Sequence, residues 1–233
     1  MGPSVSYAIL CAGDFPARSE VLGALLSCDV SVCCDSAAGS LLAYRRPDFV
    51  VGDMDSLSQR LRDELSDRVF EVSEQESNDM SKAFRLVCSV LGIGGSVPVP
   101  EFSITVFGAT GRREDHTLGN ISLLADFACY LKDEGACGRI AMLTDYGMFV
   151  PVLDTCSLSL PAGQPLSLFS FDPGLRIVSS GLQYPTGGVV FDMWWKATLN
   201  KACGGAVRLE FSRPAKVLLY LPGMYDSTME ITG

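Results

Sequence analysis

FVVGDMDSL, residues 49 to 57, is a short apolar run of strand type that stops at Gly52 and opens into two aspartates one residue apart. A strand that ends in Gly and Asp reads as strand followed by turn. The loop past such a strand is where open α/β sheets place ligands. If the turn stays extended, Asp53 and Asp55 point to the same side and can face one hard cation. An ordinary acidic turn explains these letters equally well. Only the surroundings can separate the two.

Working outward, strand-like runs alternate with helical stretches from Val5 to about Val150. VSYAILCAG precedes a helix around residues 17–27, VSVCCDS one around 37–44, and FVVGDMDS one near 58–65. VFEVSE precedes a helix near 79–91, and SITVFGAT one from about 116 to 131. Regular alternation of this kind predicts a mostly parallel sheet flanked by helices. RIAMLTD and GMFVPVL read as its closing strands. After about Pro151 the helical period is lost, and short runs such as SLSLPAGQPLSLFSF and AVRLEFSRPAKVLLYLPG are punctuated by Pro and Gly. That grammar predicts an antiparallel β-sandwich or barrel. The expected organisation is an α/β domain over 1–150 and an all-β domain over 151–233.

The totals agree with two such bodies. The chain has 233 residues, 48% of them hydrophobic, enough for a sizeable core. A formal charge of −9 argues against non-specific binding to nucleic acid or to an anionic membrane. Nine cysteines contain no C-x-x-C pair, so neither a zinc ribbon nor a disulfide scaffold is suggested, and free thiols in a reducing cytoplasm are expected. No apolar run nears the roughly 20 residues of a membrane span, and no secretory pattern opens the chain. The first six residues fit a loose myristoylation pattern, but Val5 already reads as strand, leaving little free arm.

Acidic residues recur at the ends of the predicted strands. Asp35 follows VSVCC, Asp53 and Asp55 follow FVV, Asp79 opens the helix after VFEVSEQESN, and Asp115 lies in the turn after ITVFGATG. In a parallel sheet these ends share one edge, so five carboxylates converge on one crevice. Gathered there they repel, and a divalent cation is the economical remedy. Oxygen-only ligands favour Mg²⁺ over zinc. Taken singly, Asp35 and Asp79 could be helix caps.

GATGRREDHTLGN, residues 108 to 120, sets Gly108 and Gly111, two arginines, an aspartate and the sole histidine between a strand and a helix. Gly108 and Gly111 let backbone approach a ligand, and Arg113 offers a fork for phosphate oxygens. It is not a Walker A loop, nor does a dinucleotide fingerprint follow the first strand. His116 reads either as a general base or as part of a helix start.

The order CDSAAGSLL, PDFVVGDMDSL, Gln75 through NDMSKAF, and GATGRREDHTLGNISLL resembles the thiamine pyrophosphokinase family. The resemblance covers the α/β half, and the all-β half agrees in position. It implies transfer of the β,γ-pyrophosphoryl group of ATP to the hydroxyethyl oxygen of thiamine, assisted by Mg²⁺. It also implies a cytoplasmic homodimer whose site forms between the α/β domain of one subunit and the β domain of the other. By resemblance Asp53, Asp55 and Asp79 hold Mg²⁺, and Asp35 lies beside the nucleotide. Gln75, Lys82 and Arg113 contact phosphates, while Asp115 helps to bind or activate the substrate. Either Asp55 or Asp115 could take the alcohol proton, although a bridging metal can make a dedicated base unnecessary.

In the β half the family carries a Ser-Asn pair against thiamine. Here KATLN keeps Asn200 but has Leu199 for the serine, leaving Thr198 as the nearby hydroxyl. Asn78 and Arg112 stand where the family usually has threonine and glycine. Trp194 and Trp195 read as strand residues facing opposite ways, one packed and one free; Trp195 is a candidate to stack on the cationic ligand. Two other readings keep the same residues: a pyrophosphokinase for another alcohol, and a non-catalytic sensor of nucleotide or thiamine. The full acidic set with Arg113 disfavours the sensor.

Overall fold

The computed structural model describes residues 4–233; the first residues of the myristoylation-like pattern lie outside them. The described chain divides into two units. One comprises the residues up to Leu123 with Tyr130–Asp145, the other Leu124–Cys129 with Tyr146–Gly233.

The first unit alternates β1 (Val5–Leu10), α1 (Ser19–Ser27), β2 (Val30–Cys34), α2 (Ala37–Leu41), β3 (Phe49–Gly52) and α3 (Gln59–Glu64). It continues with β4 (Val69–Glu71), α4 (Asp79–Leu91), β5 (Phe102–Phe107), α5 (Glu114–Asp133) and β6 (Gly138–Thr144). Its strands run parallel in the order β4-β3-β2-β1-β5-β6. The chain thus steps outward from β1 to β4, then returns to the far side of β1 to begin β5. Such a reversal of strand order leaves a crevice at the carboxyl ends. The central strand is covered over its later residues, Ala8, Ile9 and Leu10 being inaccessible, as a sheet flanked on both faces requires.

Helix α4 shows why these segments fold locally. Asn78 caps it, its side-chain oxygen accepting from the Ser81 N–H at 2.9 Å. Gly92 ends it in a left-handed conformation at φ 72°. Met80, Ala83, Phe84, Val87 and Cys88 form one buried stripe at helical spacing. The sequence places α5 from about 116; it begins at Glu114, so His116 falls in its first turn.

The second unit has eight strands: β7 (Gly147–Val152), β8 (Cys156–Leu160), β9 (Pro165–Ser170), β10 (Ile177–Ser180), β11 (Ala197–Lys201), β12 (Gly205–Phe211), β13 (Val217–Pro222) and β14 (Ile231–Thr232). They pair antiparallel as β11-β9-β13-β7 and β10-β12-β8-β14. GMFVPVL, read as a closing strand of the α/β half, is β7 and falls in the second unit. Only Asp145 and Tyr146 separate it from β6, too few for a parallel crossover, and it pairs antiparallel with β13. All nine cysteines are free, six of them buried. Among the described residues, no helix is long and apolar enough to cross a membrane.

Candidate active site

A crevice of about 620 Å³ opens at the carboxyl ends of the parallel strands. Its walls come from the loops after five of them: Cys11 to Gly13 after β1, Asp35 and Ser36 after β2, Asp53 and Ser56 after β3, Gln75 to Asn78 after β4, and the glycine loop after β5. Asp79 and Lys82 enter from the first turn of α4.

Asp35 is only 4% exposed and adopts a left-handed φ of 43°. One carboxylate oxygen accepts from the Ser56 N–H at 3.1 Å; the other, Oδ1, is buried without a hydrogen-bond partner among the described residues. Burial raises its pKa, the Ser56 bond opposes this, and the charges of Asp79, Asp53 and Asp55 raise it further. Gly52 makes room for this arrangement, since a Cβ there would lie 3.1 Å from that of Asp35. Asp53 is held on both sides, accepting from Gln75 Nε2 at 3.1 Å and from the Asp55 N–H at 3.2 Å. The Gln75 bond, followed by the backbone bond, holds its carboxyl below the usual range. Asp79 lies 3.3 Å from the ammonium of Lys82, whose side chain is buried.

Asp55 does not line the crevice. Met54 takes a left-handed φ of 65°, so the turn leaves the extended path that would have aimed both carboxylates the same way. Asp55 is exposed at its rim, and its backbone N–H steadies Asp53. Among the described residues no three His, Cys, Asp or Glu side chains stand close enough to hold a metal by themselves, the trio Asp53, Asp55 and Asp79 included. A divalent cation nonetheless fits this corner. It would satisfy the orphaned Asp35 oxygen and relieve the mutual repulsion of the carboxylates.

The glycine loop packs against the end of β1. Gly13 N–H donates to Gly108 O at 2.7 Å and Asp14 N–H to Thr110 O at 2.9 Å. Gly108 has φ 59°, and a Cβ there would meet Cys11 O at 2.6 Å, so only glycine fits. Arg113 lines the crevice while forking onto Asp115, with contacts of 2.6 and 3.1 Å. Through that pair, and then through the His116 N–H, the Asp115 carboxyl is drawn down to about 2. Asp115 itself lies outside the lining. His116 is exposed and lines the crevice.

The residues expected to meet the second substrate lie in the other unit. The pairing of β11 with β9 is broken by a bulge between Ala197 and Asn200. There Leu199 is left-handed at φ 59° and 84% exposed. Asn200 is buried and largely committed, accepting from the Tyr184 and Lys201 N–H groups and donating to Tyr184 O. Thr198 is half-buried, its N–H on Trp195 O. Trp194 and Trp195 lie in a turn ahead of β11 rather than on a strand, and neither is packed away. Trp194 stacks on Phe171 with centroids 6.2 Å apart, and Trp195 is 49% exposed.

Among the crevice residues that escaped the sequence reading are Ser56 and Asn120. Ser56 acts through its backbone, which no side-chain pattern reveals. Asn120 is a buried amide of α5, and a polar residue ahead of the apolar run ISLLADF was its available signal.

Comparison with known proteins decides the family. Residues 23–134 match the thiamin pyrophosphokinase catalytic domain, and residues 147–220 match the thiamin pyrophosphokinase substrate-binding domain. The chain belongs to the thiamin pyrophosphokinase family. Its members use ATP and thiamine, and in general need a divalent metal. A search of curated proteins returns no match. Among solved structures, a thiamin pyrophosphokinase from Candida albicans shares 18% identity at a TM-score of 0.74, over 95% of this chain and 94% of its own. The yeast thiamin pyrophosphokinase aligns at 16% identity and TM-score 0.74, over 96% and 88%. One from Geobacillus thermodenitrificans aligns at 21% and 0.69, over 97% and 100%. At these identities the structures speak for the fold, which agrees in both halves.

Proposed function

We propose that this thiamin pyrophosphokinase binds ATP in the crevice of its α/β unit and thiamine on its β unit, and moves the β,γ-pyrophosphoryl group to the thiamine hydroxyl, releasing AMP. The observation that carries the reading is the meeting of Asp35, Asp53, Asp79, Lys82 and Arg113 around one crevice at the strand ends. Attack on a phosphoryl group asks for in-line placement and charge neutralisation more than covalent help. Lys82 is a buried ammonium, fixed by Asp79, that meets phosphate oxygens as a point charge. Arg113 offers two parallel donors once its fork turns from Asp115 to phosphate, and Asp115 holds it in readiness. Gln75 orients Asp53 and stands beside the same oxygens.

Mg²⁺ is the metal this reading favours. It binds through one or two carboxylates together with substrate phosphates and water, so Asp53 and Asp79 would suffice, with Asp35 beside them and Asp55 supporting Asp53 from the rim. When bound, the ion supplies neutralisation of phosphate charge. Asp115, released when Arg113 turns to phosphate, and Asp55 at the rim are the two carboxylates that could receive the alcohol proton. On the β unit, Asn200 fixes the bulge, Thr198 offers a hydroxyl and Trp195 an aromatic face. The enzyme acts in the cytoplasm as a homodimer, each site drawing the α/β unit from one subunit and the β unit from the other.

The test uses purified protein with ATP, Mg²⁺ and thiamine. AMP and thiamine diphosphate formed together, and only when thiamine is present, support the reading; ADP would mean simple phosphoryl transfer. Leu199, exposed where the family has serine, favours a second reading in which another alcohol is the acceptor. AMP release with a different alcohol but not with thiamine would establish that reading.

A further inference from the structure

Asn78 and Asn120 are joined by one side-chain hydrogen bond, Asn78 Nδ2 donating to Asn120 Oδ1 at 2.8 Å. Each is tied to backbone at its other end. Asn78 Oδ1 accepts from the Ser81 N–H at 2.9 Å, and Asn120 Nδ2 donates to Ala109 O at 2.8 Å. A backbone N–H at one end and a carbonyl at the other fix the direction of the whole series. Neither amide can turn over without setting donor against donor or oxygen against oxygen. Asn120 and Ala109 are buried, while Asn78 is exposed on the crevice wall.

The two ends of the series belong to two walls of the crevice. Ala109 sits in the glycine loop that carries Arg113, while Asn78 caps α4, whose first turn carries Asp79 and Lys82. α5 supplies the bridge through Asn120. We propose that this two-amide relay sets the spacing between the glycine loop and the first turn of α4, making Asn78 and Asn120 positioning residues for pyrophosphoryl transfer. The inference rests on the crevice being the ATP site. A cap alone would account for the Asn78 oxygen, but not for an amide nitrogen directed at the buried amide of Asn120.

The test separates relay from cap and from charge. Asn120→Leu keeps the volume and removes both of its bonds without touching the cap. Asn78→Asp keeps the cap and nearly the same shape, but sets an oxygen against Asn120 Oδ1. A displacement of about an ångström costs on the order of a hundredfold, so each variant should lose roughly 10- to 100-fold in kcat, with the thiamine KM changed by less than about threefold. Because both break one link, the double variant should be no slower than Asn120→Leu alone. Losses that multiply in the double variant would overturn the relay, assigning the Asn78→Asp effect to its charge. A folded Asn120→Leu enzyme with kcat within about twofold of the parent would overturn it too, since a misplacement large enough to matter costs far more. Melting temperatures are measured on every variant, and Asn120→Ser replaces Asn120→Leu in the same cycle if the latter does not fold. Parent enzyme that neither binds ATP nor turns over strikes the site reading itself; active parent with silent or multiplying variants strikes only the relay.

Discussion

Asp35 is destabilising where it stands. Its carboxyl is buried, half satisfied and surrounded by like charge, so its folded pKa exceeds the unfolded value. The folded state therefore binds that proton more tightly than the unfolded chain, and stability falls as pH rises from the ordinary carboxylate range through the raised value. Asp35→Asn removes this penalty. In metal-free protein it should melt higher than the parent at pH 7, with the gap closing toward pH 3, as followed by circular dichroism. A lower melting temperature at pH 7 would show that the carboxylate is already neutralised. Asp115 has the opposite sign. Arg113 holds its carboxyl near 2, so its contribution is present above the ordinary carboxylate range and lost as pH falls toward 2. Arg113→Ala should return the Asp115 titration toward 3.8, measurable from its carboxyl carbon shift by NMR. At this scale Asp35, Asp53 and Asp79 were legible as crevice residues because each lies in or just past the connection after a parallel strand; that Asp115 falls outside the lining was not. The aim of Asp55 was not, since it depends on the left-handed turn at Met54.

Among the elements, α4 carries the most consequence for its length. Its apolar stripe faces the sheet while its capped end delivers Asp79 and Lys82 to the crevice, so packing and chemistry share one rigid body. Phe84 is 4% exposed and meets Tyr130 edge to face, with centroids 5.8 Å apart. Phe84→Ala should cost about 3–5 kcal/mol in urea unfolding, as large-to-small core changes do. A cost under about 1 kcal/mol would mean the neighbours collapse into the space. The bulge in β11 makes a second case. A leucine in the left-handed region costs roughly 1–2 kcal/mol, so Leu199→Gly should raise stability or leave it unchanged despite the entropy glycine adds to the unfolded chain. A clear loss would show that the exposed leucine makes contacts that hold it there. The sequence revealed α4 through its helical period, although it offered Asp79 as the cap and the cap is Asn78. It did not reveal the bulge or the turn holding the tryptophans, because both come from strand pairing between distant residues.

For the whole molecule, the alternation of strands and helices, followed by its disappearance, was enough to expect two kinds of fold. β7 was read with the α/β half because an apolar run looks the same in either unit, and its antiparallel partner β13 lies far along the chain where no local pattern shows it. If the enzyme is a homodimer, sedimentation equilibrium should give about twice the chain mass of 25.0 kDa. Full turnover by a species of one chain mass would remove the inter-subunit site.

Six thiols lie inside this protein with no disulfide to make. While the chain is folded, burial keeps several of them protonated; Cys88 is pushed up to about 12 and Cys156 to about 11, both mainly by loss of solvent. Unfolding returns them to the ordinary thiol range and to one another, where air oxidation can trap wrong pairs faster than the chain refolds. Heat resistance in oxidising buffer should therefore be a rate that varies with scan speed, becoming a reversible equilibrium only when a reductant is present.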